Sequence, residues 1–209
     1  MAHDFLLLIL SSPSGAGKTT LTRMLQERYG DLSFSVSHTT RPPRANEVDG
    51  RDYHFVDRHR FCQLVAEGAF LEWAEVHGNL YGTSMAELDR ARHTAGCHGM
   101  IFDIDFQGAR QIRAKVHDAI GVFILPPSME ELEKRLRGRA SDTEEVIQRR
   151  FAAAKREIDH YALFDYVIVN DDLKSAFDHL AAIVLAERSK RARRAHLAEA
   201  LLRTPPKPE

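Results

Sequence analysis

The chain has 209 residues, of which 44% are apolar and 28% are charged, and its formal net charge is −1. This length suits one domain with a sizeable core, and the nearly balanced charge gives no steering toward nucleic acid, which we therefore do not expect as a partner. The apolar run 5–10 is too short for a membrane span or a signal peptide, and Cys62 and Cys97 lack metal-ligand spacing. We expect a cytoplasmic protein with reduced thiols and no membrane partner, and its oligomeric state is left open.

Strands and helices are predicted to alternate along the chain. The apolar run 6–10 predicts a buried strand, and helical spacing from about 19 to 29 predicts a helix that Gly30 closes in a left-handed cap. Further strands are predicted at 34–37, 53–56, 70–73, 81–83, 100–105, 119–125 and 166–169. Further helices are predicted at 57–66, 85–93, 108–115, 128–136 and 144–162, and one or two helices at 175–202 before a disordered tail at 204–209. This alternation indicates an α/β fold with a parallel sheet, whose site lies at the carboxyl ends of the strands.

Residues 11–20, with the sequence SSPSGAGKTT, follow the first predicted strand and match most of a phosphate-binding P-loop. The pattern G-x-x-x-x-G-K-[ST] is met except at Ser12, which stands where the pattern has glycine. Backbone N–H groups of such a loop bind a phosphate chain, with Lys18 on the β- and γ-phosphates and the Thr19 hydroxyl on Mg²⁺. A chance glycine-rich turn is the alternative. The loop residues predicted to bind the phosphate chain are Ser12, Pro13, Ser14, Gly15, Ala16, Gly17, Lys18, Thr19 and Thr20.

Arginines recur in the segments predicted to line the cleft, namely Arg41, Arg44, Arg135, Arg139, Arg149 and Arg150. Solvated helix faces are the alternative, above all for Arg149. That alternative fits Arg41 and Arg44 poorly, because they lie in a proline-rich loop with Ser37 and Tyr53 nearby in the sequence. Guanidinium groups bind phosphates through two hydrogen bonds, so two arginines and a tyrosine around this loop are predicted to hold one monophosphate.

Taken together, these motifs resemble the guanylate kinase family from about residue 7 to residue 187. The matching runs are SPSGAGKTTL (12–21), FSVSHTTRPPR (34–44), EVDGRDYHF (47–55), FLEWA (70–74), YGT (81–83), DIDFQG (103–108), Arg135 to Arg139, and VIVNDDL (167–173). The resemblance implies a P-loop NTPase-type parallel sheet flanked by helices, with an inserted GMP-binding subdomain and a helical lid. It implies transfer of the γ-phosphoryl group of ATP to GMP, a role in purine nucleotide metabolism, and Mg²⁺ bound together with ATP.

The same resemblance implies a single domain over residues 1–209. Its parts are a core at 4–36, 91–126 and 158–187, a GMP-binding segment at 37–90, a lid at 127–157, and a basic C-terminal helix and tail at 188–209. The basic run 188–194 is interpreted as a solvated helix face, with a nucleic-acid contact as the alternative.

The resemblance also implies roles for individual residues. For the acceptor, the residues expected to hold the GMP phosphate are Arg41, Arg44, Tyr53 and Tyr81, and those expected to bind guanine are Ser37, Glu72, Thr83 and Asp103. For the donor, the residues expected to contact ATP beyond the loop are Arg135, Arg139, Asn170 and Asp171, the last two being also suited to a helix N-cap. The expected catalytic residues are Lys18, Arg41, Arg135 and Arg150, and the expected metal ligands are Thr19 with Asp103 or Asp105 acting through water.

The chemistry of guanine supports the role of Glu72. A carboxylate accepts hydrogen bonds from the N1–H and the exocyclic amino group of guanine, and adenine offers neither at that edge. An exposed strand residue is the alternative, and the adjacent Trp73 and the matching run argue against it. Three residues replace glycines that are usual in the family, and none of them removes a group that contacts charge in this mechanism: Ser12, Asn46 and Ala140.

Two other classes of protein fit parts of the pattern. A non-catalytic guanylate-kinase-like interaction module would share the fold, but this chain keeps Lys18, Arg41, Arg44 and Glu72. Another P-loop nucleoside monophosphate kinase is disfavoured by the guanine-binding set, and a GTPase is disfavoured by the lack of an Asn-Lys-x-Asp motif. No histidine is assigned a catalytic role, because the attacking phosphate oxygen is already ionised at neutral pH and needs no general base.

Overall fold

The computed structural model describes residues 5–76, 78–138 and 143–203. The strands are β1 (Leu6–Ser11), β2 (Leu32–Phe34), β3 (His38–Thr39), β4 (His54–Phe55), β5 (Phe70–Val76), β6 (Asn79–Ser84), β7 (Gly99–Asp103), β8 (Ile120–Leu125) and β9 (Tyr166–Val169). The helices are α1 (Lys18–Arg28), α2 (Arg58–Ala66), α3 (Met85–His93), α4 (Phe106–Lys115), α5 (Met129–Arg137), α6 (Glu144–Ile158), α7 (Leu173–Ser189) and α8 (Arg191–Arg203), with a 3₁₀ turn at Tyr161–Leu163.

The main sheet is parallel, with the strand order β2-β7-β1-β8-β9. All six residues of β1 are buried, because helices cover both faces of the sheet at its centre. Leu8 and Leu10 pack in one apolar cluster with side chains of α1 and α7. Leu7 and Ile9 pack on the opposite face in a second cluster, with side chains of α3 and α4. The predicted α/β fold with a parallel sheet flanked by helices is confirmed.

A second sheet has the order β4-β3-β6-β5. β5 and β6 form an antiparallel hairpin around Gly78, whose φ of +84° suits glycine. The pairing has an irregularity between Phe70 and Glu72, and Leu71 inserts into the same cluster as α3 and α4. α5 and α6 pack against each other through a separate small apolar cluster. The finer division into core, GMP-binding segment and lid stays a prediction.

Most predicted elements are present, and their ends follow from capping. The carboxylate of Asp57 and the hydroxyls of Ser128 and Thr143 each accept a backbone N–H in the first turn of α2, α5 and α6. α4 begins two residues before the predicted 108, because Asp105 accepts the N–H groups of residues 107 and 108.

Two local predictions in this part of the chain are wrong. The predicted strand at 34–37 divides between the sheets, because Ser35 still donates to the Ile101 carbonyl of the main sheet while the Ser37 carbonyl accepts the His54 N–H of the second. Gly30 has no positive φ, so it forms no left-handed cap. Tyr29 ends α1 instead, through a hydrogen bond to the Leu25 carbonyl.

The basic run 188–194 is not a solvated face throughout, so that interpretation is wrong for two of its arginines. Arg193 is only 6% exposed and donates to the carbonyl oxygens of Phe5 (3.1 Å) and Asp118 (3.0 Å). Arg188 pairs with Asp31 at 2.9 Å. The partners of both guanidinium groups lie just before strands β1, β2 and β8. The carbonyl and carboxylate oxygens there need hydrogen-bond donors, which the two arginines supply. The predicted tail at 204–209 lies outside the described residues, and within them no helix combines the length and apolar character needed to cross a membrane.

Candidate active site

A cleft of about 380 Å³ is bordered by the loop after β1, by β5 and β6, and by the carboxyl end of β7. Parallel strands place their carboxyl ends at one edge of a sheet, which is where the sequence places the site. The predicted residues that border the cleft are Ser12, Pro13, Ser14, Gly15, Gly17, Lys18, Thr19, Thr20, Ser37, Tyr53, Glu72, Tyr81, Asp103 and Asp105. The structure therefore brings predicted donor-binding and acceptor-binding residues to one cavity.

The loop between β1 and α1 is shaped by two glycines in the left-handed region. Gly15 has a φ of +95° and Gly17 a φ of +96°. A Cβ at Gly17 would lie 2.2 Å from Nδ2 of Asn170, so the close approach also requires glycine. Gly17 caps α1 without any side-chain hydrogen bond, which leaves the first N–H groups of the helix available to an anion.

Lys18 is held at the base of the cleft by Asp103. Strand pairing places Leu10 beside Asp103, so the first residue of α1 lies next to the end of β7. The Lys18 ammonium donates to the Asp103 carboxylate, and each of these side chains is about one-fifth exposed. The pair keeps the lysine directed into the cleft while balancing its charge.

Glu157 of α6 also borders the cleft, and the sequence interpretation did not include it. Its carboxylate accepts a hydrogen bond from the backbone N–H of Ser14 at 3.2 Å. Burial raises the pKa of Glu157, and the nearby Asp105 adds to this effect. A carboxylate thus occupies one of the loop donors. A lone glutamate late in a helix carries no sequence signal for such a contact.

Glu72 is the most deeply buried carboxylate on the acceptor side of the cleft, with an exposed fraction of 3%. Its Oε1 accepts the backbone N–H of Thr83 at 2.8 Å, and the Thr83 hydroxyl lies 3.1 Å from that of Ser37. Burial raises the pKa of Glu72 to about 7, although hydrogen bonds from Thr83 favour the ionised form. The arrangement offers a recessed acceptor to a ligand with N–H groups.

Arg41 is oriented by Glu47, a residue to which the sequence analysis assigned no role. Its Nη2 donates to Oε1 of Glu47 at 2.8 Å, and the guanidinium lies 5.3 Å from the ring centroid of Tyr53. The hydrogen bond from Arg41 lowers the pKa of Glu47 and raises that of Arg41. Glu47 also accepts the backbone N–H of Arg44 at 2.7 Å. One carboxylate therefore organises both arginines of the loop.

Several predicted residues lie beside the cleft rather than on its border. Asn170 is 5% exposed and donates to the Ala16 carbonyl at 2.8 Å, so its amide supports the phosphate loop. Arg135 donates to the Asn170 carbonyl at 3.1 Å. The N-cap of α7 is Asp172, not Asn170 or Asp171. The other predicted residues off the border are Ala16, Arg41, Arg44, Thr83, Arg150 and Asp171, whereas Arg139 and Ala140 lie outside the described residues.

The oxygen ligands expected for Mg²⁺ lie close to the loop but do not form a preformed metal cluster. Thr19, Asp103 and Asp105 all border the cleft. Within residues 5–76, 78–138 and 143–203, no group of three or more His, Cys, Asp or Glu side chains is placed to hold a metal ion. A hydroxyl with two nearby carboxylates suits Mg²⁺, which keeps several waters and takes its other oxygens from phosphates.

Comparison with known proteins adds an independent line of information. Residues 6–187 match the family model described as guanylate kinase. The chain belongs to the guanylate kinase family. Guanylate kinase of Dechloromonas aromatica is 51% identical over 200 residues, which cover 94% of this chain and 98% of that protein. Guanylate kinase of Aromatoleum aromaticum is 53% identical over 186 residues, which cover 89% and 90%.

A solved guanylate kinase structure agrees with the fold of this family member. The crystal structure of guanylate kinase from Anaplasma phagocytophilum superposes with a TM-score of 0.75 at 35% identity, covering 94% of this chain and 93% of that one. Membership in the guanylate kinase family therefore holds for nearly the whole chain and not for the phosphate loop alone.

Proposed function

We infer that this chain transfers the γ-phosphoryl group of ATP to GMP, giving ADP and GDP. The observation that carries the inference is the shared cleft: the phosphate loop with Lys18 and the buried carboxylate of Glu72 border one cavity of about 380 Å³. The arrangement, with loop donors at one end and a recessed acceptor at the other, suits two nucleotides whose phosphates meet in the cleft. Curated guanylate kinases at 51% and 53% identity support the same activity.

On the donor side, the phosphate loop and Lys18 would hold the β- and γ-phosphates of ATP. The N–H groups at the start of α1 have no side-chain cap, so they can donate to phosphate oxygens. Asn170 bonds the Ala16 carbonyl and thereby keeps the loop in the shape that presents these donors. Arg135 donates to the carbonyl of Asn170 and is therefore anchored beside the phosphate loop, from where its guanidinium would contact the phosphates of ATP.

On the acceptor side, Glu72 would distinguish guanine from adenine. The ionised carboxylate accepts the N1–H and the amino group of guanine, whereas adenine would leave a buried acceptor without a donor. Such a mismatch discriminates between ligands by orders of magnitude. Ser37 and Thr83, whose hydroxyls lie 3.1 Å apart, would complete the base site together with Asp103.

The GMP phosphate would be held by Arg41, Arg44, Tyr53 and Tyr81. Arg41 already lies over the Tyr53 ring, and the Tyr53 and Tyr81 rings lie 6.1 Å apart, so three of these groups converge before any ligand is considered. Glu47 accepts a hydrogen bond from Nη2 of Arg41 and the Pro42 carbonyl accepts one from Nη1 at 2.7 Å, so both contacts fix the orientation of the guanidinium.

The chemical step would be an in-line attack by an ionised oxygen of the GMP phosphate on the γ-phosphorus. The chain therefore contributes positioning and charge neutralisation, by Lys18, Arg41, Arg135 and Arg150, and no general base. When bound with ATP near Thr19, Asp103 and Asp105, Mg²⁺ supplies further neutralisation of the phosphate oxygens.

The placement of two arginines supports a closing movement. Arg135 and Arg150 do not border the cleft, although the proposed chemistry needs them at the transferred group. We therefore propose that segments 37–90 and 127–157 move toward the cleft when both nucleotides bind. Hydrogen exchange measured with both nucleotides, compared with either alone, should show added protection in both segments. Unchanged exchange would argue against closure.

A cytoplasmic location in purine nucleotide metabolism is part of the same proposal. Cys62 and Cys97 are free thiols, as expected in a reducing compartment.

The activity is tested by coupled detection of ADP release with GMP, AMP, UMP and dTMP as acceptors. We expect turnover with GMP and a rate with AMP lower by about 10²-fold or more. Equal or faster turnover with AMP would contradict the role of Glu72. GMP binding in calorimetry without ATP binding or turnover would instead identify a non-catalytic interaction module.

A further inference from the structure

The outer edge of β5 is covered by polar side chains of a helix rather than by another strand. β5 is an edge strand of the second sheet, so half of its backbone groups have no strand partner. Three side chains of α4 donate to carbonyl groups on this edge: Gln107 to Glu75 (3.4 Å), Gln111 to Trp73 (2.6 Å) and Lys115 to Leu71 (2.6 Å). We call these contacts the α4 clamp.

The spacing of the α4 clamp matches two regular structures. Its side chains are four residues apart on the helix, a rise of about 6 Å, and their partners are two residues apart on the strand, a rise of about 6.6 Å. Gln111 also accepts the Trp73 N–H at 3.2 Å, so one amide makes both hydrogen bonds that a neighbouring strand would make. The register of β5 along α4 is therefore specified, and Glu72 lies between two clamped residues.

A second contact from the same helix limits the position of the Glu72 side chain. A Cβ added to Gly108 would lie 2.5 Å from Oε2 and 3.2 Å from Cδ of Glu72. The other oxygen, Oε1, is held by the Thr83 N–H. The carboxylate thus lies between β6 and the first turn of α4, where only glycine leaves space for it.

α4 also connects this carboxylate to the donor side of the cleft. The helix starts directly after Asp105, the residue that caps it, and Asp103 just before is the partner of Lys18. Asp103, the partner of Lys18, is therefore only five residues before Gly108, the glycine next to the Glu72 carboxylate.

We propose that α4 is the positioning element for base selection, with Gly108 setting how deeply the Glu72 carboxylate sits and Gln111 setting the register of β5. Gly108 and Gln111 act through Glu72 and are positioning residues. This inference rests on the proposed function, because it takes Glu72 as the group that binds guanine.

The test uses the full-length variants Gly108→Ala and Gln111→Met, with Arg110→Ala as a control on the exposed face of the same helix. We expect Gly108→Ala to raise KM for GMP about tenfold or more and to lower the ratio of kcat/KM for GMP over AMP, with KM for ATP unchanged. Gln111→Met keeps side-chain length but loses both hydrogen bonds, and should raise KM for GMP about 3- to 10-fold. The control should match the parent in all three quantities.

A double-mutant cycle separates positioning from general damage. If the methyl group added by Gly108→Ala displaces the carboxylate, Glu72→Asp should cost less in that background than alone, since a shorter side chain relieves the contact. If Gly108 and Gln111 only stabilise the fold, both substitutions should lower the melting temperature but leave KM for GMP and the kcat/KM ratio for GMP over AMP unchanged. That result in both variants would overturn the inference. A parent protein that neither binds nor phosphorylates GMP would overturn the proposed function, and the inference with it.

Discussion

The phosphate loop and the proposed base-binding end of the second sheet present their polar groups in different ways. The loop is a consecutive run, 12–17, whose donors are backbone N–H groups shaped by Gly15 and Gly17. The proposed base-binding end combines Ser37, Glu72 and Thr83 from three separate segments, and the polar groups that it offers are side chains. The phosphate loop therefore depends on local backbone conformation, whereas the group of Ser37, Glu72 and Thr83 depends on how distant segments pack.

Their electrostatics differ as well. The carboxylate of Asp103 near the loop is paired with the Lys18 ammonium, so two opposite charges balance in a partly exposed place. Glu72 is buried with uncharged hydrogen-bond partners, and burial raises its pKa to about 7. We therefore expect binding at the Glu72 side of the cleft to depend on pH near neutrality.

The largest expected effect is at the loop. Lys18→Met removes the cation that would neutralise the transferred phosphoryl group, so we expect kcat to fall about 10²- to 10³-fold. GMP affinity measured by calorimetry should fall far less than kcat, because Lys18 lies on the donor side and meets the proposed base site only through Asp103. Arg28→Met, at the other end of α1, is the matched control. A comparable loss of GMP binding would show that the two halves are not separable.

The next effect is at the base-binding end. Glu72→Gln replaces an acceptor by an amide whose NH₂ group faces the donors of guanine, so kcat/KM for GMP should fall about 100-fold. The preference for GMP over AMP should shrink in parallel, and KM for ATP should be unaffected. Glu75→Gln on the same strand, whose side chain is 53% exposed, serves as control. A retained GMP preference in Glu72→Gln would place base selection elsewhere.

The pH dependence should also separate the halves. In the proposed base site, guanine binding needs the ionised form of Glu72, so KM for GMP should fall as pH rises toward 7 and level off above it, by up to about tenfold per pH unit. GMP's own phosphate ionises near pH 6, by analogy with other phosphate monoesters, and contributes in the same range. The difference between the parent and Glu72→Gln profiles isolates the carboxylate, and identical profiles would contradict this assignment.

The Glu72 carboxyl also makes the free energy of unfolding depend on pH, and in the opposite direction: stability falls as pH rises, whereas GMP binding improves. Because the folded-state pKa of Glu72 lies above 4.5, the folded protein binds more protons than the unfolded chain between about pH 4.5 and pH 7. Its contribution to the free energy of unfolding is complete below this range and is lost as pH rises through 7, by roughly 3 kcal/mol. Denaturant unfolding of Glu72→Gln should lack this component.

The smallest expected effect is at Glu157. Its carboxylate accepts a loop N–H and repels an incoming phosphate, so Glu157→Gln should lower KM for ATP about two- to fivefold and leave KM for GMP unchanged. Glu145→Gln, exposed on the same helix, is the control. A higher KM for ATP in Glu157→Gln would indicate that the carboxylate supports the donor site.

Features encoded by neighbouring residues could be read from the sequence. The buried strand, the glycine turn and the helix after it form one motif, and the N-caps at Asp57, Ser128 and Thr143 depend only on residues within one turn. The role of Glu72 in guanine binding is implied by the family resemblance and agrees with guanine chemistry, whereas its burial cannot be predicted from the sequence of β5 alone.

Contacts between distant segments were missed for a common reason. Glu157 meets Ser14 across 143 positions, and Gln111 meets Trp73 across 38, and no local pattern reports such distances. The wrong interpretation of Arg193 is similar, because its partners, Phe5 and Asp118, are brought to it by the fold.

The phosphate loop and the α/β alternation can be predicted from the amino-acid order, because each depends on local conformation, whereas the residues of the proposed acceptor site are implied by the family resemblance. Folding is what buries Glu72, brings Asn170 to the loop, and sets α4 against the strand that carries the carboxylate. Burial and hydrogen-bond partners are properties of the packed molecule, since the chain acquires them only when segments far apart in sequence meet.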